Sequence, residues 1–203
     1  TRLASSIAEF TTFTIEITKS YRLLEWRDDL KALLLKAGLD GKKMVFLFDD
    51  AQIVDETFVE DINNILNSGE VPNLMKDEDL GPIFDKMTPI LVAKQIPSTK
   101  LNLYNMFISR VKENLHLVLA FSPIGEAFRD RLRNFPSLVN CCTLDWFHPW
   151  PVEALVQVAN KQLAIEGLDE KMYDSVVKMC GFVHKSVEET STRYWDEMVR
   201  KNY

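Results

Sequence analysis

Residues 44–48 read Met-Val-Phe-Leu-Phe, an unbroken apolar run, and the next two positions are Asp49 and Asp50. A run of this kind presents no polar face to water, so it predicts a strand covered on both sides, as in parallel α/β sheets. The carboxyl edge of such a strand is where open α/β sheets bind ligands. Paired acids at that edge have two readings. One of them caps the following turn, or the first orients Mg²⁺ through its water shell while the second polarises an attacking water, as in nucleotide hydrolases. The second reading needs a loop that cradles phosphate, and the 203 residues contain no G-x-x-x-x-G-K-[ST].

Residues 1–9 read as the end of a helix, and 10–17, FTTFTIEI, alternate Phe13, Ile15 and Ile17 against Thr12, Thr14 and Glu16 at strand period. Between Arg22 and Ala37, Leu23, Trp26, Leu30, Leu33, Leu34 and Ala37 recur at helical spacing, with Gly38 as the stop. Asp55 is placed to cap a helix that carries Phe58, Ile62, Ile65 and Leu66 and ends near Gly69. Leu103, Phe107 and Val111 mark a further helix, followed by the strand LHLVLAF at 115–121, a helix over 124–134 and a short strand LVNCCTL at 138–144. Pro72, Gly81, Pro82, Pro89 and Pro97 interrupt 70–100, which is expected to be a surface insertion with one or two short helices.

Beyond DWFHPWP only helical periods remain, over 152–165, 169–180 and 186 to about 201, the last bringing Trp195, Met198 and Val199 to a terminal helix. Strands alternating with helices imply parallel crossovers. The expected architecture is therefore a three-layer α/β subdomain over 1–146, followed by a small helical lid subdomain over 147–203. Trp146, Phe147 and Trp150 read as the packing hinge between the two.

Thirty acids against 24 bases leave a net charge of −6, which argues against an extended nucleic-acid footprint. No apolar run approaches the roughly 18 residues of a membrane span. Cys141, Cys142 and Cys180 match neither a disulfide framework nor a zinc spacing, so a reduced intracellular setting is expected. His116, His148 and His184 share no ligand spacing and read as structural. The chain opens on Thr1 without a leader or initiator Met, as a piece of a longer polypeptide would.

Four stretches, LFDDAQI, DINNILNSGEVPNL, RDRLRNFPSLVNCCTLDWF and the closing STRYWDEMVRKNY, together resemble a dynein heavy chain of axonemal type, in the fourth AAA+ module of its motor ring. The resemblance covers essentially the whole chain, and FPSLVNCCTLDWFHPWP is its most specific part. It implies that VFLFDD is the Walker B strand, with Asp49 orienting Mg through water and Asp50 as the catalytic acid where the family usually keeps glutamate. Ser122 falls at the nucleotide-sensing polar position, often Asn, and Arg131 at that of an arginine finger acting on the neighbouring module. TRLASSIAEF resembles the helix after the P-loop, so the cradle is expected just upstream of Thr1, and ATP or ADP with Mg only together with it.

The same resemblance implies an ATP-driven, minus-end-directed microtubule motor of the cytoplasm, in the axoneme of a cilium or flagellum. The partners it implies are neighbouring AAA+ modules, with dynein intermediate and light chains and microtubules reached through other regions; neither nucleic acid nor membrane is expected as one. The departures set the module's role. Aspartate for glutamate at 50 withdraws the carboxylate by roughly 1.5 Å, and misplacement on that scale costs on the order of a hundredfold in rate. Ser122 is shorter than Asn as well. The expectation is a structural or regulatory nucleotide site that hydrolyses slowly or not at all. The alternative is a nucleotide-free spacer module with Asp49 and Asp50 as turn residues. An AAA+ remodeller or clamp loader would share the fold but lack CCTLDWF and carry a more basic surface.

Overall fold

In the computed structural model, the run Met44–Asp49 forms the middle strand, β2, of a parallel sheet, paired on one side with β1 (Thr11–Phe13) and on the other with β3 (Leu115–Ala120). The structure describes residues 1–123, 126–147, 150–167 and 169–198, apart from the side chains at 170, 195 and 198. His148, Val199 and the side chains of Trp195 and Met198 lie outside the described residues.

Strand geometry sends Met44, Phe46 and Phe48 to one face of the sheet, where all three are buried. Against them packs α2 (Leu23–Gly38), whose Trp26 stacks on Phe58 of α3 (Glu56–Ser68) with ring centroids 4.4 Å apart. Trp26 has no exposed surface, and its Nε1–H donates to Asp61 Oδ2 at 2.9 Å, so the largest core ring keeps its polar atom satisfied. Val45 and Leu47 point to the other face, where Val45 is buried and Leu47 half-buried.

The helix signals act as their chemistry predicts. Asp55 accepts from Thr57 N at 2.8 Å as the cap of α3, and Gly69 ends that helix in the left-handed region, φ 85°. α5 (Lys100–Asn114) buries Leu103, Phe107 and Val111, and a short α1 (Arg2–Ile7) precedes β1.

The segment 70–100 departs from its expected form. It holds a 17-residue helix, α4 (Asp77–Ala93), whose Ile83, Met87 and Leu91 are at most 1% exposed and belong to the main core. Pro82 and Pro89 sit inside it. Each interior proline costs about 3 kcal/mol, and burying each large apolar side chain returns ~1.5–3 kcal/mol, so the Ile83, Met87 and Leu91 stripe, with half-buried Phe84 and Ile90 beside it, offsets the prolines.

The expected strand at 138–144 is absent too. After α6 (Glu126–Asn134), Pro136 starts a one-turn helix, α7 (Ser137–Asn140), with Ser137 N donating to Asn63 Oδ1 at 3.0 Å. Leu138 alone of that stretch is buried while Val139 is exposed, so the alternation a strand needs is not there.

The chain divides at Leu144 and Asp145. In the second unit α8 (Val152–Leu163) and α9 (Glu170–Met198) pack on each other, with Tyr173 donating to the Asn160 carbonyl at 2.6 Å. Where two helices were expected, at 169–180 and from 186, Glu170–Met198 is one helix, and Gly181 within it costs only about 1 kcal/mol relative to alanine. Trp146, Phe147 and Trp150 are exposed. Among the described residues no helix is long and apolar enough to cross a membrane.

Gly38 lies where α2 meets α5, and a Cβ there would stand 2.4 Å from Phe107 Cε2 and 2.7 Å from Val111 Cγ2. Gly38→Ala gains helix propensity of about 1 kcal/mol but overpacks at a cost of about 1–3 kcal/mol. A net loss of stability is expected in chemical denaturation.

Asp61 yields a pH-dependent prediction. Burial raises its carboxyl above the ordinary range, against the opposing effects of the Trp26 hydrogen bond and Arg27. A raised folded value means that its contribution is full below the unfolded value of about 3.9 and is lost as pH rises through the folded one. Asp61→Ala orphans the Trp26 N–H and should cost roughly 1–3 kcal/mol at acid pH, and less toward neutrality, in parallel urea titrations.

Candidate functional site

The site is built at the carboxyl end of β2. Asp49 leaves the strand extended, φ −126°, and caps a single 3-10 turn, Asp50–Gln52, by accepting from Ala51 N at 3.0 Å. Gln52 returns the bond, its Oε1 accepting from Asp49 N at 3.0 Å, and its Nε2 donates to the Ile15 carbonyl at 2.7 Å. The turn that presents both acids is thus tied to the segment following β1. Ile15 is buried, which makes that anchor firm.

The register of the sheet brings in the next residue. Asp49 pairs with Ala120, so the chain beyond β3 runs alongside Asp50, and Ser122 N donates to Asp50 Oδ2 at 2.5 Å. From α6, Arg131 reaches the same carboxylate, its Nη1 donating to Asp50 Oδ1 at 3.1 Å. The rest of the guanidinium is taken by Glu56: Nη2 lies 2.8 Å from Oε1, and Nε 3.1 and 3.2 Å from the two oxygens. Its Cζ stands 6.0 Å from the Phe121 ring centroid. The Arg131 side chain is only 15% exposed, and its pKa is raised, chiefly by the hydrogen bond to Glu56.

The structure therefore brings the adjacent Asp49 and Asp50 together with Ser122 and Arg131, which lie more than 70 residues further along the chain. Asp49 does act as the cap of a turn, yet only Oδ1 is used in this way, and its Oδ2 takes no hydrogen bond among the described residues. Arg131, expected to reach a neighbouring module, is turned onto the acids of its own chain. Arg129 and Arg133 are exposed instead, with Arg133 3.8 Å from Asp130 on the same helix.

Two members went unread in the sequence. Gln52 carried a signal: an acid followed three residues later by Gln is a capping box. Glu56 carried none, because its partner is 75 residues away.

Among the described residues no group of three or more His, Cys, Asp or Glu is arranged to hold a metal ion. This donor set suits Mg²⁺ gripped mainly by phosphate and water, with Asp49 addressing its water shell, since Mg²⁺ keeps several waters and needs few carboxylates. Each oxygen of Asp50 already accepts one hydrogen bond, from Ser122 N and from Arg131 Nη1, and the cation beside it offsets the negative charge the carboxylate could offer to a water.

The family model for the P-loop-containing dynein motor region D4 matches residues 1–203, the whole chain. The chain belongs to that family. It is 48% identical over 206 residues to dynein axonemal heavy chain 1 of Mus musculus, covering 100% of this chain and 5% of that protein. It is 50% identical over 203 residues to the dynein-1-beta heavy chain of the flagellar inner arm I1 complex of Chlamydomonas reinhardtii, and 44% identical over 205 to dynein axonemal heavy chain 3 of Mus musculus, again covering 100% of this chain. This D4 region thus spans about a twentieth of the curated relatives it matches, 5% and 4% of the first and second. The α/β sheet with its helices is of the AAA+ type that the family carries.

Gln52 offers a direct test of how the D4 acids are positioned. In Gln52→Glu the carboxylate can still accept from Asp49 N but cannot donate to the Ile15 carbonyl, and it adds negative charge beside two acids. A loss of roughly 1–3 kcal/mol is expected in denaturant unfolding, against a smaller loss for Gln52→Met.

Proposed function

We propose that this D4 region is a nucleotide-binding module of a ciliary or flagellar dynein heavy chain, with a structural or regulatory role inside an ATP-driven motor that moves toward microtubule minus ends. The observation that carries this reading is the placement of Asp49 and Asp50 at the carboxyl end of the central parallel strand, beside the Ser122 backbone at the end of its neighbour. Open α/β sheets bind ligands at that edge. ATP or ADP would sit there with Mg²⁺, which neutralises phosphate charge, and a P-loop outside these 203 residues would supply the cradle.

Each residue then has a task. Asp49 orients the ion's water shell through its open oxygen. Asp50 stands in the hydrolytic position but is one methylene short and engaged by Arg131, which supports slow turnover. Arg131 is the residue offered to the neighbouring module's nucleotide once it leaves its own acids. The residues before Asp145 form the AAA+ large subdomain and the helices after it the lid. Contacts with microtubules and with dynein intermediate and light chains belong to other regions of the heavy chain, in the axoneme.

The test uses the full-length heavy chain with the nucleotide sites of the other modules disabled. Binding of a fluorescent ATP analogue with Mg²⁺ and slow turnover are expected; Asp49→Asn should weaken binding in Mg²⁺ but not in chelator. Asp50→Glu restores the missing methylene and should raise turnover on the order of tenfold or more. Turnover in the unmodified site equal to that of an ordinary AAA+ ATPase would refute the regulatory role. Absence of nucleotide binding would leave the spacer alternative.

A further inference from the structure

On the reading of Asp50 as the hydrolytic acid, each oxygen of its carboxylate is engaged within the chain. Oδ2 is bound by Ser122 N, and Oδ1 by Arg131 Nη1 at 3.1 Å. The guanidinium is in turn fixed by Glu56, from the first turn of α3, through both carboxylate oxygens at 2.8–3.2 Å. Two carboxylates thus share one cation, in a geometry that uses its planar fork. The exposures are graded: Arg131 is 15% exposed, Asp50 36% and Glu56 58%, so the cation lies inside and its second acid at the rim.

We propose that Glu56, Arg131 and Asp50 form a latch in cis, with Glu56 as the positioning residue that keeps Arg131 on Asp50 and so keeps the module's acid out of use. The inference rests on the reading of Asp49 and Asp50 as a nucleotide site. Its consequence is exclusivity. To lay its fork on a phosphate outside its own module Arg131 has to give up these acids, because three of its five N–H donors and the plane of the fork are committed to them. A nucleoside triphosphate bound on the adjacent module competes for the guanidinium through its terminal phosphate, and winning it releases Asp50. Arg131 then couples the two sites, and the coupling is reciprocal: whatever stabilises Asp50 with Arg131 weakens the neighbour's hold on its triphosphate.

Glu56 is the residue to change, since it touches neither nucleotide nor the reacting atoms in this arrangement. In the full-length heavy chain, with the other sites disabled for hydrolysis, Glu56→Gln keeps a hydrogen-bond acceptor but removes the charge. It should raise kcat at this site roughly two- to fivefold, the scale of a part-exposed ion pair, with KM unchanged. The rise should vanish in an Arg131→Ala background, where Glu56 has no cation left to hold on Asp50, whereas the effect of a general loosening of α3 would persist there. Electron cryomicroscopy of the same heavy chain is the independent readout: the Arg131 guanidinium is expected on Asp50 and Glu56 when the adjacent module holds ADP, and away from them when it holds a non-hydrolysable ATP analogue. A guanidinium off Asp50 in both states, or fixed there in both, overturns the latch. So does a kcat unmoved by Glu56→Gln, or a rise that persists without Arg131. If fluorescent nucleotide fails to bind beside Asp49, the nucleotide-site reading falls on that measurement, and the position of Arg131 judges the latch separately.

Discussion

The parallel register of β2 on β3 is the constraint from which the site follows. With Asp49 opposite Ala120, the first residues past each strand lie side by side, and a backbone N–H of the third strand's exit loop falls on the carboxylate of the second's. A slip of one residue would turn Phe46 and Phe48 out of the core and carry Asp50 away from Ser122 in the same step. The acid pair is therefore placed by hydrophobic patterning several residues upstream. Since the two strands are joined by more than sixty residues, nothing local in either strand could have secured that alignment.

What holds the register is the aromatic layer beneath it. Trp26, Phe46, Phe48 and Phe58 are all fully buried, with Trp26 at the centre, tilted against both β2 rings and stacked on Phe58. Large flat side chains in such a cluster bury much area and tolerate little displacement. Because Phe58 and Glu56 share the first turns of α3, the stack that anchors the sheet also sets where Glu56 stands. Core and site are joined through one short helix. The Asp61 carboxylate under the Trp26 indole adds direction to what would otherwise be a purely apolar contact.

Legibility followed the locality of the determinants. α2, α3 and α5 were readable because their buried residues recur within one helix and their caps lie a residue away, as with Asp55 and Gly69. α4 was misread because Pro82 and Pro89 are strong local signals, while the stripe that overrides them, Ile83, Met87 and Leu91, gains its energy only against partners elsewhere in the chain. The stretch 138–144 was read as strand from its apolar content, but Leu138 is its one buried residue and the bond from Ser137 N to Asn63 favours a helical turn. At the site, the placement of Asp49, Asp50 and Ser122 at neighbouring strand ends was legible from the apolar runs that precede them. The inward turn of Arg131 had no trace in its neighbourhood, because its two acids lie 75 and 81 residues back.

The electrostatics of the site favour a held state over an open one. Asp49, Asp50 and Glu56 bring three carboxylates to one strand edge, and carboxylates in proximity repel unless cations or N–H donors intervene. Arg131, Ser122 N and Ala51 N supply that compensation from within the chain. On the proposed reading, removing Arg131 would leave an excess of negative charge where a phosphate would approach, so the phosphate would come together with a divalent cation. An arginine drawn outward would then raise the site's demand for a metal as it frees Asp50. Gain of one cation and loss of the other would be coupled by charge balance.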